Sequence, residues 1–458
     1  MTYDESVRAL YSLGRELAAP QQARVQKFGL ENISILAQEL GDPQRAAPCA
    51  HVAGTNGKGS TAAMLESILR TADLRTGLYT SPHLERINER IRINGESISD
   101  EDFAAAWTRV HTAIESLIAS GKLAAHPTFF ECVTAMDFLA FAQHTVDFAV
   151  YEVGLGGRLD ATNIVVPEVA VLTPIDFDHE NFLGHSIAEI AAEKAGIIKL
   201  GAWVVSASER LEARAVIAKR CAEMDARLVE LDATAHLEEI QDQEGIYRAT
   251  AVLTHSRKKL TLSPALPGRF QLRNALTAAI AARLLAERGF PINDEGIERG
   301  IASAKWPGRL ERLGTHPDTY LDGAHNPSGA RELLKFWNEN YADRRIFLVY
   351  GAMRDKAVDE IAGLLFPHAD TVILTEPRQP RAVSAPLLAE MTGHHAKTIL
   401  VVPDPAKALE TAIELANTVN VVFATGSLYL VGDLRAYWHG RVRAPSENRD
   451  GTLPSKTV

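Results

Sequence analysis

His51-Val-Ala-Gly-Thr-Asn-Gly-Lys-Gly-Ser-Thr61 is the stretch from which the rest of the chain can be read. Gly54, Gly57 and Gly59 take side chains out of a tight bend, so that successive backbone N–H groups can converge on an anion, and Lys58 sets a positive charge beside them. Residues 46–53 form a short apolar run suited to a strand, and Thr61-Ala-Ala-Met-Leu-Glu-Ser-Ile-Leu-Arg70 carries apolar residues at helical spacing. Strand, glycine bend and helix in succession make a phosphate cradle, because the helix N-terminus adds its own amides and dipole. Gly54, Thr55, Asn56, Gly57, Lys58, Gly59 and Ser60 therefore read as a nucleotide-binding P-loop. The spacing departs from the strict Walker pattern: Val52 stands at its first glycine and Gly59 follows Lys58 directly, so the hydroxyls arrive one step late, at Ser60 and Thr61.

Working outward, Asp147-Phe-Ala-Val-Tyr-Glu152 and Glu168-Val-Ala-Val-Leu-Thr-Pro174 are short β-branched and aromatic runs separated by helical or loop segments, as expected of buried parallel strands. Ligands of such sheets sit at the carboxyl ends of the strands, which gathers Lys58, Ser81, Glu152 and His179 in one crevice. Glu152 there could hold a Mg²⁺ that bridges phosphate oxygens. His179 on pattern alone is either a ligand or a polar residue closing a strand, since Mg²⁺ prefers oxygen. Ser186-Ile-Ala-Glu189 has capping-box spacing, and Lys194 falls on or beside the apolar face of the helix it opens, where a lysine is expected to snorkel to water. Arg86, Arg90 and Arg92 with Glu85 and Glu89 read as a solvated loop over 85–94.

Residues 227–262 alternate like antiparallel hairpins, and Phe270-Gln-Leu-Arg-Asn274 opens a long alanine-rich helix. Ala304-Lys-Trp-Pro-Gly-Arg309 is a Pro/Gly break, after which a second strand-helix series begins. The expected architecture is α/β: a P-loop ATPase-like domain with a mostly parallel sheet over 1–300, a smaller Rossmann-like α/β domain over 307–438, and a disordered tail over 439–458. A formal net charge of −10 argues against a nucleic-acid surface, and Cys49, Cys132 and Cys221 support neither a disulfide framework nor a zinc knuckle. The N-terminus lacks a signal-peptide pattern and no apolar run approaches a membrane span, so the reading is a cytoplasmic protein, a monomer, with no membrane partner. A P-loop switch is disfavoured, because no guanine-reading Asn-Lys-x-Asp is present and the motifs of the second domain would be left over.

Those motifs, with Tyr151-Glu-Val-Gly-Leu-Gly-Gly-Arg-Leu-Asp-Ala-Thr-Asn163, Glu193-Lys-Ala-Gly-Ile-Ile-Lys199, Leu321-Asp-Gly-Ala-His-Asn-Pro327 and Thr425-Gly-Ser-Leu-Tyr-Leu-Val-Gly432, make the chain resemble the folylpolyglutamate synthase and dihydrofolate synthase family, within the ATP-dependent Mur-type amide ligases. The resemblance implies that Ser81, Glu152 and His179 hold Mg²⁺, that Lys194 is carbamylated to hold a second ion, and that Asn274, Arg309 and Asp322 contact ATP. By the same resemblance His325 and Ser427 lie near the incoming L-glutamate. Phe28, Gly29 and Leu30, Thr128, Phe129, Phe130 and Glu131, and Leu159, Asp160 and Ala161 surround the dihydropteroate or reduced-folate substrate. Lys58, Lys194 and His325 become the catalytic set, and folate biosynthesis and one-carbon metabolism the setting. The Gly157–Asn163 stretch looks like the bifunctional bacterial type; a monofunctional folylpolyglutamate synthase or a cell-wall precursor ligase are the alternatives.

Overall fold

The computed structural model describes residues 1–14 and 29–443. Two compact units divide them: the first takes residues 1–310, 326–342 and 355–357, and the second takes 311–325, 343–354 and 358 onward. The helix Pro327–Asn340, which the sequence puts inside the second domain, groups with the first unit.

The first unit is built on an eight-stranded sheet. Its strands are β1 (Cys49–Ala53), β2 (Thr76–Tyr79), β3 (Ile91–Ile93), β4 (Glu96–Ser97), β5 (Phe148–Glu152), β6 (Val169–Leu172), β7 (Trp203–Ser206) and β8 (Arg227–Glu230), in the order β4-β3-β2-β5-β1-β6-β7-β8. From β2 to β8 all neighbours are parallel, and β3 and β4 add an antiparallel edge. Helices cover both faces, which is why β1 and β5 are buried throughout and apolar except for His51 in the middle of β1 and Glu152 at the end of β5. Ala50, Val52 and Val150 pack with Met64, Leu65 and Ile68 of the helix Lys58–Thr71 and with Leu272 and Leu276 of the helix Phe270–Glu287. On the other face Ala149 and Tyr151 meet Trp107, Phe138 and Phe141 from the helices Asp100–Ala119 and Phe129–Gln143. A three-stranded antiparallel sheet, β9 (Ala235–Gln243), β10 (Ile246–Leu253) and β11 (Lys259–Leu262), realises the alternating segment.

The second unit has a six-stranded sheet of β12 (Glu311–Thr315), β13 (Asp318–Leu321), β14 (Ile346–Tyr350), β15 (Thr371–Leu374), β16 (Ile399–Val401) and β17 (Val421–Thr425). Its order is β12-β13-β17-β14-β15-β16, parallel except for the β12–β13 hairpin.

Two expectations need correction. Residues 85–94 are not a solvated loop: Ile87–Arg90 is a turn of 3-10 helix, Ile91–Ile93 is strand, and Arg90 is 2% exposed. Its guanidinium lies over the Phe129 ring at 5.4 Å and donates from Nε to His83 Nδ1 at 2.9 Å, so charge density on the sequence hid an inward residue. The last helix, Leu428–Arg443, also runs past His439, where the tail was expected to begin; the rest of the tail lies outside the described residues.

Candidate active site

The glycine stretch leaves β1 at Ala53 and enters the helix Lys58–Thr71 through Gly57, which sits at φ +84° as the N-cap residue. No side chain caps that helix and its first turn carries no acid, so its leading amides are kept for an anion. The bend is held from behind: Thr55 N donates to Pro174 O at 2.9 Å, and Thr55 Oγ1 and the Asp176 backbone bond each other at 2.9 and 3.0 Å. Gly57 faces Asn274, whose Nδ2 donates to Gln271 Oε1 at 2.9 Å, and Gln271 Nε2 reaches Ser60 Oγ at 3.4 Å. The Trp306 indole lies against Gly59. Lys58 Nζ donates to Thr55 O at 3.0 Å; burial lowers its pKa, with Glu152 and Asp178 opposing that shift.

Neighbouring strand ends deliver the rest, as the parallel sheet requires. Val52 pairs with Glu152 and Tyr79 with Tyr151, so the end of β5 lies between the glycine bend and the segment after β2. Ser81 N donates to Glu152 Oε2 at 3.3 Å. Glu152 is 5% exposed, and burial pushes its carboxyl above the usual range while Lys58 and Arg309 draw it back. A buried carboxylate receiving one backbone N–H at this distance has lone pairs left for a cation, and the donor of that N–H, Ser81, carries a hydroxyl as well.

His179 is at φ +52°. Asp178 anchors it: Asp178 Oδ1 accepts from Lys356 Nζ at 2.8 Å and Oδ2 from Asn326 Nδ2 at 3.1 Å, while Asn326 exchanges paired side-chain bonds with Asn56 of the glycine bend at 2.9 and 3.1 Å. Lys356 Nζ is also 3.0 Å from His179 Nε2, so that nitrogen would trade the ammonium for a metal. By donor chemistry Glu152, Ser81 and His179 would suit a divalent ion as an oxygen-rich set with one nitrogen. Asp178, Asn326 and Lys356 had no role in the sequence reading; Asn326 stands inside the Leu321–Pro327 motif, and no pattern singled out the other two.

Lys194 does not snorkel. It is 4% exposed on the capped helix Ile187–Ala195, with Nζ donating to Gly54 O at 2.8 Å, and burial followed by repulsion from Lys58 pushes its pKa down to about 7. Asp160 is the organiser of the Gly154–Asn163 loop: Oδ2 accepts from Gly154 N and Leu155 N, both at 3.0 Å, and Oδ1 from Thr162 N at 3.1 Å. Thr162 Oγ1 in turn meets His51 Nε2 at 2.8 Å, and burial drives that imidazole's pKa down to about 3. Phe130 covers Gly154, and Phe129 stacks on Tyr11 at 5.8 Å. Thr128 and Glu131 close their helix as a capping box, so their side chains already have a structural task. Leu159 and Leu30 are half-buried and Ala161 is buried, while Gly29 lies against its own Glu31; Phe28 is outside the described residues.

Within the second unit Leu321 pairs with Ala424, which sets the loops after β13 and β17 side by side. Ala324 O accepts from Gly426 N at 3.0 Å and Thr425 Oγ1 at 3.1 Å. Asp322 Oδ1 accepts from Ala324 N at 2.9 Å, His325 Nδ1 meets Gly323 O at 2.8 Å, and Ser427 Oγ accepts from Tyr429 N at 3.1 Å. Asp322, His325 and Ser427 therefore share one strand-end edge.

Residues 52–282 match the family model of the Mur ligase middle domain, and residues 308–428 match that of the Mur ligase glutamate ligase domain. The dihydrofolate synthase/folylpolyglutamate synthase of Bacillus subtilis is 37% identical over 414 residues, 89% of this chain and 94% of the relative. The chain belongs to this family. Among solved structures of dihydrofolate synthase/folylpolyglutamate synthases, Escherichia coli FolC in complex with DHPP and ADP superposes with a TM-score of 0.83 at 29% identity, covering 96% of this chain and 99% of that one. The bifunctional Yersinia pestis enzyme complexed with AMPPNP and Mn ion gives 0.81 at 32%, covering 96% and 98%. Among the described residues no helix is long and apolar enough to cross a membrane.

Proposed function

We propose that this dihydrofolate synthase/folylpolyglutamate synthase family member carries both family activities, joining L-glutamate to dihydropteroate and to reduced folates, as a cytoplasmic monomer. The substrate carboxylate attacks the γ-phosphorus of ATP and expels ADP, giving an acyl phosphate; the glutamate amine then attacks the acyl carbon, forms the amide and releases phosphate, with one proton lost from the amine. Little covalent participation by the protein is needed, and its work is charge placement and orientation. The uncapped start of the helix Lys58–Thr71 and the Lys58 ammonium take the transferred phosphoryl group's charge. Ser81, Glu152 and His179 would hold the Mg²⁺, which would supply positive charge against the phosphate oxygens. Asn274, Arg309 and Asp322 contact the nucleotide, and His325 and Ser427 orient the glutamate. Phe130, Leu159, Asp160 and Ala161 line the pterin side. Lys194, with a pKa pushed down to about 7, has a large neutral-amine fraction at physiological pH and can take up CO₂ as a carbamate, turning a buried cation into an anion fit for a second ion.

One observation carries the reading: an uncapped, acid-free helix start with Lys58 in electrostatic reach of the buried Glu152. Phosphate release from ATP, measured with glutamate plus either dihydropteroate or a reduced folate, tests it. Release that depends on each acceptor is expected; release with the folate alone makes the enzyme monofunctional, and release with neither removes the ligase reading.

A further inference from the structure

Asp359, His394 and His395 form a cluster in the second unit, apart from every residue used above. Asp359 is in the first turn of the helix Val358–Leu365, and the two histidines end the single 3-10 turn Gly393–His395 that follows the helix Ala385–Thr392. One ligand atom from each of the three residues lies within 4.8 Å of the others. His395 Nε2 is 2.9 Å and His394 Nε2 3.8 Å from the same oxygen, Asp359 Oδ1. The imidazole centroids are 3.9 Å apart with planes 43° off parallel, so both rings present their Nε2 edges to one carboxylate.

A hydrogen bond from His395 to Asp359 needs one imidazole, and it does not account for the second aimed at the same atom. The geometry points to a second metal site, for a divalent transition ion of the Zn²⁺ type, held by Asp359, His394 and His395. Zn²⁺ binds imidazole nitrogen and carboxylate oxygen at about 2.0–2.2 Å, so its donors stand roughly 3.3 Å apart, near the spacing already present. Two nitrogens and one oxygen favour Zn²⁺, Co²⁺ or Ni²⁺ over Mg²⁺, which distinguishes this set from Ser81, Glu152 and His179. With 63% of the His394 side chain and 65% of the Asp359 side chain exposed, an ion has open entry and keeps water in its remaining position. Bound there, it ties the helix Val358–Leu365 to the Gly393–His395 turn, which makes the site a stabilising clamp rather than a catalytic centre.

The test is calorimetric titration of ZnCl₂ into the full chain, stripped of metal and then saturated with Mg²⁺ and an ATP analogue to occupy the nucleotide site. The expected result is one Zn²⁺ equivalent for the wild type, weakened roughly 10-fold or more in His394→Ala, His395→Ala and Asp359→Asn, since even an outer-sphere partner's loss costs a metal site that much. Zn²⁺ should also raise the wild-type Tm by a few degrees and leave the variants' Tm unmoved, while Mg²⁺-dependent turnover without zinc stays the same in all four proteins. No bound equivalent in the wild type, or the same affinity and stoichiometry in all four, overturns the assignment.

Discussion

Replacing Gly57 by alanine should damage ATP binding by an amount the local geometry sets. At φ +84° an alanine sits in the left-handed region, which costs about 1–2 kcal/mol. Its Cβ would also stand 2.3 Å from Asn274 Oδ1, so the Asn274 amide must move away and give up its 2.9 Å bond to Gln271, worth ~1 kcal/mol. Together the phosphate-binding form of the bend loses about 2–3 kcal/mol, or roughly 30- to 150-fold at 1.4 kcal/mol per tenfold. Steady-state phosphate release with ATP varied should show KM for ATP rising by a factor in that range, with any drop in kcat adding to it. Gly41→Ala is the control: φ is +87° but nothing lies within 4 Å of the added Cβ, so it carries the backbone cost without a clash and should leave KM for ATP alone. A Gly57→Ala enzyme with wild-type KM and turnover would refute the claim that this bend is the phosphate cradle.

Glu152→Gln should keep the fold, since the residue is at a strand end and accepts one backbone bond, but should abolish metal-dependent turnover; normal Mg²⁺ titration of activity in the variant would remove its ligand role. Lys194→Ala should cut ligation much more than nucleotide affinity measured by calorimetry, and wild-type activity should climb as pH rises through about 7, as the neutral amine that reacts with CO₂ becomes the major form. A flat profile across that range speaks against the carbamate. Asp137 is fully buried in the helix Phe129–Gln143 with both oxygens lacking hydrogen bonds, and burial raises its pKa well above the usual range. A folded pKa above the unfolded one means stability that is present in acid and lost as pH rises from about 4 upward. Asp137→Asn should therefore match the wild type near pH 4 and unfold at a higher temperature at pH 8; a constant difference across pH would contradict it.

The architecture was legible where the sequence repeats a simple physical rule. Fully buried parallel strands such as β5 and β17 read as unbroken apolar runs, and the strand-end rule then collected Lys58, Ser81 and Glu152 from positions far apart in sequence. What failed to show were residues whose neighbours are set by tertiary packing. Arg90 looks like one charge among several until Phe129 comes to lie beneath it. Lys194 sits at the edge of an amphipathic helix, and its buried partners, the Gly54 carbonyl opposite and the charges of Asp178 and Asp160, come from distant segments. Lys356 and Asn326 converge on Asp178 from segments that no periodicity connects, so the brace behind His179 left no trace in the sequence pattern.

The way the chain alternates between its two units bears on how it can be cut. It passes from one to the other after Leu310, His325, Ala342, Arg354 and Ala357. A gene ended at Leu310 would thus encode a crippled first unit: Asp178 would lose both Lys356 and Asn326, and Tyr247, which donates to Glu339 at 2.6 Å, would face solvent where the helix Pro327–Asn340 had been. Neither half is an independently heritable part, which makes this chain a poor candidate for modular shuffling at its apparent seam.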